Sequence, residues 1–308
     1  MFDQDDDATG GGAPALERMG QPDDAPRLPD LETTYRPSRH EEGWLLESLG
    51  DFFADEVLTD LLFPVRGGKE ATVYCCRGGP SLGGRLVAAK IYRPRKFREL
   101  SNDAIYREGR GLLDHRGHRE RARDRRLNRA VRRGSRKGKE VTHVSWVMHE
   151  FGTLEALHHA GGAVPEPLAA TRNGILMGFV GDDDGAAPTL DRASFDRADG
   201  PALLAEALRN VELLLSLGWV HGDLSAYNLM LWEGRLVMID LPQVCDVLAN
   251  PHAVGLYLRD VERVCRFFDR NLDPRAVADA IWDRVFDSEG GVTDLPMANP
   301  AAFQVDEW

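Results

Sequence analysis

The stretch His221-Gly222-Asp223-Leu224-Ser225-Ala226-Tyr227-Asn228, followed eleven residues later by Ile239-Asp240-Leu241-Pro242-Gln243, constrains this chain more than any other feature. Between the two motifs, the apolar runs 229–232 and 236–239 flank Glu233-Gly234-Arg235, a hairpin pattern. Such a hairpin would carry Asp240 back beside Asn228. An Asp, an Asn five positions on and a second Asp form the grouping that phosphoryl transfer from a metal-nucleotide needs. One carboxylate orients the attacking hydroxyl, while an amide and another carboxylate hold the ions that neutralise the phosphates. Either motif alone would be commonplace on a loop. Their order, their spacing and the intervening hairpin together predict a phosphotransferase, with Asp223 in catalysis and Asn228 and Asp240 as metal ligands.

At 308 residues the chain exceeds a typical single domain of about 100–200 residues, which predicts one two-lobed unit or two domains. A net charge of −12 argues against indiscriminate nucleic-acid binding over the whole surface. No apolar run approaches the roughly 18 residues of a membrane span, and the acidic, Gly-rich start is unlike a secretory signal. The cysteines Cys75, Cys76, Cys245 and Cys265 lack CxxC spacing. Reduced, packed thiols in a cytoplasmic protein are therefore expected.

Residues 1–40 combine Asp3-Gln4-Asp5-Asp6-Asp7, a Gly run and scattered prolines with few large apolar residues. Such a segment buries too little to offset ordering entropy, so a disordered acidic tail is expected. From Trp44 to Leu62 apolar residues recur at helical spacing, predicting a helix over about 41–60. Strand-like runs follow at 72–76 and 86–92, then a helix through Val144, Val147, Met148, Phe151, Leu154 and Leu157 that Gly161-Gly162 ends, then a strand at 175–180. Pro201 opens a helix with Gly218 beyond its end, and residues 254–268 carry a clean apolar stripe. The expectation is an α+β, bilobal architecture. It has a small β-rich N-lobe over 61–180 with one long helix, a mainly helical C-lobe over 181–290, and a C-terminal tail over 291–308.

On the nucleotide side, Gly67-Gly68-Lys69-Glu70-Ala71-Thr72-Val73-Tyr74 lies between strand-like runs. Glycines let a backbone approach phosphates closely, although neither GxxxxGK[ST] nor GxGxxG is present. Gly67, Gly68, Lys69, Glu70 and Val73 are the candidates there. Lys90, in Val87-Ala88-Ala89-Lys90-Ile91, fits a strand lysine that contacts phosphates and pairs with a helix Glu. A lysine among apolar strand residues is rarely buried unless paired. Glu150 is the better partner, because it lies centrally beside the apolar stripe, and Glu155 and Glu140 are lesser ones.

With these residues in hand, the chain resembles the RIO family of atypical protein kinases over roughly Leu61 to Asp269. The resemblance rests on GKEATVY (68–74), AAKIY (88–92), EFGTLEAL (150–157), HGDLSAYN (221–228), IDLPQV (239–244) and LRDVERVCRFF (258–268). It implies a bilobal kinase fold with ATP and Mg²⁺ (or Mn²⁺) in the cleft and transfer to a serine or threonine hydroxyl of a protein, the kinase itself included. It also implies Asp223 as catalytic base, Asn228 and Asp240 as metal ligands, and Lys90 paired with Glu150. The Asp at the position of Asp240 can, in this family, accept a phosphoryl group transiently. Met177, Gly178 and Val180 would form the hinge, where backbone groups of Gly178 and Val180 meet adenine, and Asp260 would hydrogen-bond the catalytic loop. The family commonly has an acidic residue where this chain has Gly178. Only Leu241 to Pro251 stands where ordinary kinases have an activation loop.

Between Arg116 and Glu140 there are twelve Lys/Arg against Glu120, Asp124 and Glu140, a local reversal in an acidic protein. A solvated face is one reading. A phosphate-backbone contact to RNA or a ribosomal particle through 116–139 is the other. Ser135 stands out as a hydroxyl in an expected flexible loop over 107–140 beside the cleft, and so as a candidate autophosphorylation site. Two alternatives remain open beside the protein kinase: an ATPase-type assembly factor on an RNA-protein particle, and a small-molecule phosphotransferase of the aminoglycoside-kinase type.

Overall fold

The computed structural model describes residues 33–68, 71–92, 108, 110–114, 117 and 125–286. The acidic tail up to residue 32, the C-terminal tail over 291–308, Lys69, Glu70, and Arg116, Arg119, Arg121 and Arg123 of the basic run lie outside the described residues.

Helix α1 (Arg39–Ala54) precedes a five-stranded antiparallel sheet in the order β1-β2-β3-β5-β4. Its strands are β1 (Leu58–Gly67), β2 (Ala71–Gly78), β3 (Leu86–Tyr92), β4 (Pro167–Ala170) and β5 (Gly174–Gly178). The helix expected over 41–60 stops earlier, and the reason is local. Glu56 adopts φ 53°, while the N–H groups of Glu56 and Val57 donate back to Phe53 O and Phe52 O. This closing motif turns the chain out of the helix, so that Leu58 and Leu61 serve a strand instead.

Strand alternation then sorts the sheet's two faces. Val87, Ala89 and Ile91 join Leu45, Leu49, Tyr74 and Leu176 in a core under α1. Ala88, Lys90 and Tyr92 alternate onto the opposite face, toward the cleft. Helix α1 is further held by Glu41, which accepts from Tyr74 Oη at 2.5 Å and Tyr35 Oη at 3.0 Å.

Between β3 and β4 stand α2 (Arg125–Arg132) and the 24-residue α3 (Arg136–His159). The segment expected to be a flexible loop over 107–140 is therefore helical from Arg125 onward. Gly138 explains the close crossing of the two helices, since a Cβ there would meet Ala130 O at 2.1 Å. Ser135 caps α3: its Oγ accepts from Gly138 N–H at 3.2 Å and donates to Ala130 O at 3.1 Å. It stands fifteen residues before Glu150, about 22 Å along the helix at 1.5 Å per residue. The α3 C-terminus closes at Gly161 (φ 81°), as the paired glycines predict.

The second lobe contains α4 (Gly200–Ser216), α5 (Ala253–Phe268) and α6 (Pro274–Phe286). Two small antiparallel pairs accompany them: β9 (Leu229–Trp232) with β10 (Arg235–Met238), and β8 (Trp219–Val220) with β11 (Cys245–Asp246). A third pair, β6 (Gly181–Asp182) with β7 (Gly185–Ala186), joins the lobes. The predicted hairpin forms with a two-residue turn, Glu233 (φ 50°) and Gly234 (φ 75°), whose positive φ values match the strands' twist. All four cysteines are buried free thiols. Among the described residues no helix is long and apolar enough to cross a membrane.

Candidate active site

A cleft of about 770 Å³ runs between the sheet and the second lobe. Gly67, Gly68, Val73, Lys90, Glu150, Met177, Gly178, Val180, Asn228 and Asp240 all line it. A second cavity of about 710 Å³, between α1 and the start of α3, is lined by Glu140 and by Arg136 and Lys139 of the basic run, but by none of the predicted catalytic or metal-binding residues.

Lys90 is the pivot. Its Nζ donates to Glu150 Oε1 at 2.6 Å and to Asp240 Oδ1 at 2.6 Å, tying β3, α3 and the end of the hairpin together. Lys90 and Glu150 are 8% and 4% exposed, so this pair forms largely out of water. Burial alone would lower the lysine's pKa, yet the two carboxylates raise it well above the ordinary value. Burial would likewise raise the Asp240 carboxyl, but Lys90, with Arg66 behind it, holds the carboxyl below the usual range. Asp240 is therefore an anion at neutral pH. Its φ of 65° is an unusual backbone setting that Asp tolerates better than most residues. The lesser candidate Glu140 instead pairs with Arg172 at 3.4 Å on the surface.

The loop bearing Asp223 is gripped from several sides. Asn228 Nδ2 donates to Asp223 O at 2.8 Å, which turns the amide oxygen the other way. Asp223 N–H donates to His221 Nδ1 at 3.3 Å, so the buried His221 is the Nε2–H tautomer, donating to Ile239 O at 3.3 Å. Burial pushes the His221 pKa down and keeps the ring neutral. Ile239 N–H donates to Asn228 O at 3.0 Å, the bond that brings Asp240 beside Asn228. From α5, Asp260 accepts from Gly222 N–H at 2.7 Å and Leu224 N–H at 3.0 Å. Burial pushes the Asp260 carboxyl up to about 7 even against these bonds and the nearby Arg259.

At the hinge, the groups that sequence reasoning assigned to adenine are partly engaged. Gly178 N–H donates to Glu166 O at 2.8 Å, and Val180 O accepts from Ala187 N–H at 2.9 Å.

Sequence reasoning missed several arginines. Arg259 donates to Gly222 O, and Arg263 donates to Asp223 Oδ1 at 2.9 Å. Arg66 reaches across the cleft to Tyr227 O at 3.4 Å. Arg110 donates to Pro242 O at 2.9 Å and to Val244 O, and Trp146 Nε1 donates to Pro242 O at 3.3 Å. These pin the segment after Asp240 to α3 and its approach. The only available signal was the placement of Arg259 and Arg263 one turn apart on either side of Asp260, easily taken for a solvated edge of an apolar helix.

Comparison with known proteins agrees with this geometry. Residues 105–280 match the RIO domain family. The chain is 35% identical over 230 residues to the RIO-type serine/threonine-protein kinase Rio1 of Haloferax volcanii, covering 74% of this chain and 69% of that one. It is 30% identical over 126 residues to the Rio1 kinase of Thermoplasma acidophilum, covering 41% and 64%. With the serine/threonine-protein kinase RIO1 of Caenorhabditis elegans it shares 30% over 124 residues, only 24% of that protein's length. The family match over more than half of the chain and the 35% identity to the Haloferax kinase place it: the chain belongs to the RIO family of serine/threonine protein kinases.

Proposed function

We propose that this chain is an ATP- and Mg²⁺-dependent serine/threonine protein kinase that transfers the γ-phosphoryl group to a protein hydroxyl, its own hydroxyls included. The observation that carries this reading is Lys90 bridging Glu150 and Asp240 in a cleft whose opposite wall holds Asn228, with Asp223 on the same loop and bonded through its carbonyl to the Asn228 amide. In the proposed reaction the acceptor oxygen bonds to the γ-phosphorus, the bond from that phosphorus to the β,γ-bridging oxygen breaks, and ADP leaves. Asp223 orients the hydroxyl and takes up its proton. Gly67, Gly68 and Val73 cover the phosphates, and Lys90 donates to them. Met177, Gly178 and Val180 line the adenine end, where the Val180 N–H is the group at hand.

The donor set suits a hard divalent ion, Mg²⁺ or Mn²⁺. Asp240 supplies an anionic carboxylate, and Asn228, with its Nδ2 committed to Asp223 O, presents its amide oxygen. Among the described residues no group of three His, Cys, Asp or Glu could cage a metal. The shell is thus completed by phosphates and water, the usual arrangement for Mg²⁺. The ion supplies neutralisation of phosphate charge.

An ATPase-type assembly factor is the second reading, and one observation favours it. Only a short segment separates Asp240 from α5, and Arg110 and Trp146 pin it, which leaves little platform for an extended peptide. Incubation with γ-labelled ATP and Mg²⁺, following both protein label and free phosphate, separates the two. Label on protein supports the kinase, whereas free phosphate with no protein label supports the ATPase.

The basic helical hairpin of α2 and α3 exposes Arg129, Arg132, Arg133, Arg136, Lys137 and Lys139 and is the proposed contact to RNA or a ribosomal particle. If it binds phosphates, log affinity falls with log salt at a slope of about −0.7 to −0.9 per contact. Replacing Arg132, Arg133, Arg136 and Lys137 by Ser flattens the slope and leaves ATP affinity alone. Equal slopes return the hairpin to a solvated face.

A further inference from the structure

Helix α5 meets the catalytic loop through three consecutive grips on one face. Asp260 takes the N–H groups of Gly222 and Leu224, Arg259 donates to the Gly222 carbonyl, and Arg263, one turn further on, donates from Nη1 to Asp223 Oδ1 at 2.9 Å. The first two hold backbone, and only the third holds the side chain that acts. The Asp223 backbone is already fixed by its bonds to His221 and Asn228. Its carboxylate, by contrast, has one hydrogen bond among the described residues, the one from Arg263.

Magnitude decides what this pair is for. The side chains of Asp223 and Arg263 are 41% and 43% exposed. Ion pairs this wet contribute about 0–1 kcal/mol, too little for the fold to depend on. The same pair is enough to choose among carboxylate rotamers, which differ by similar amounts.

We propose that Arg263 is a positioning residue for phosphoryl transfer. By holding Oδ1 it sets the plane of the Asp223 carboxylate and presents Oδ2 to the acceptor hydroxyl. This rests on Asp223 being the base. A bias of about 1 kcal/mol between carboxylate rotamers changes the productive population about fivefold.

The test measures all γ-phosphate leaving Mg-ATP, as protein label plus free phosphate, together with Mg-ATP affinity. The variants are Arg263→Ala, Arg263→Lys, Asp223→Ala and the Asp223→Ala/Arg263→Ala double. Arg263→Ala is expected to lower kcat about 2–5-fold, the population shift that a bias of up to about 1 kcal/mol produces, with KM for ATP and Mg-ATP affinity unchanged. Arg263→Lys recovers part of the loss. In the Asp223→Ala background, removing Arg263 costs nothing more, because the group it positions is gone. If Arg263→Ala melts early, Arg263→Gln and Arg263→Lys carry the comparison. Three results overturn the proposal: Arg263→Ala at full turnover while Asp223→Ala is crippled, a loss expressed in KM for ATP, or a loss that multiplies with that of Asp223→Ala. Full turnover in Asp223→Ala would instead remove the base reading itself.

Discussion

The two halves of the cleft solve the same electrostatic problem in opposite ways. On the nucleotide side, Lys90 and Glu150 are almost fully buried and locked at 2.6 Å. On the acceptor side, Asp223 and Arg263 pair at 2.9 Å but remain nearly half exposed. A buried charge must keep its partner, because an uncompensated ion out of water is costly. An exposed charge can lose its partner and remain solvated. Under the proposed roles, the buried pair couples catalysis to folding, and the exposed pair can exchange acceptors without disturbing the lobes.

The sharpest break between the halves is expected at Lys90. Lys90→Ala breaks the buried 2.6 Å pair with Glu150 and should destabilise the protein by about 3–5 kcal/mol, besides removing turnover. Asp223→Ala should stay within about 0.5 kcal/mol of wild type in the same denaturant titration. Equal midpoints for the two variants would erase the distinction. Next in size are Asp240→Asn and Asn228→Ala. Each should weaken ATP binding in Mg²⁺ by at least about tenfold, the lower end of what even outer partners of a metal site contribute. Their ATP affinity in EDTA should change far less, and calorimetry in both buffers measures the difference. An equal change in both would assign these residues to nucleotide contact and not to the ion.

A pH-dependent break concerns the clamp beneath the loop of Asp223. Burial raises the Asp260 carboxyl to about 7 from an ordinary 3.8. A group raised on folding contributes stability that is present in full below its unfolded pKa and lost as pH rises through its folded one. Between about pH 4 and 7, Asp260 should therefore make the protein less stable as pH rises, a slope that Asp260→Asn abolishes. Parallel stability-pH curves for the two proteins would show that the carboxylate stays ionised on its two N–H donors.

What was legible in the sequence followed from local rules. Period-two alternation in Leu86–Tyr92 places Lys90 on the cleft face, and the two-residue turn at Glu233-Gly234 returns Asp240 to Asn228. The clean stripe of 254–268 is the α5 core face. Where reading failed, contacts distant in sequence decided the outcome. Nothing near Trp44 to Leu62 announces that Glu56 will take a left-handed turn, because the β1 pairing with β2 selects strand over helix there. The basic segment looked unstructured by charge, yet Gly138 lets α2 pack against α3. Arg263 was invisible because its partner lies 40 residues away.

The central claim is that one cleft divides the work, with binding on the Lys90 side and chemistry at Asp223. The most direct test is a single preparation of Asp223→Ala assayed for Mg-ATP affinity and for total γ-phosphate released. The account predicts affinity matching wild type and turnover reduced about 10²–10⁴-fold, the usual contribution of a general base. Wild-type turnover, or an affinity lost in step with the rate, would contradict it.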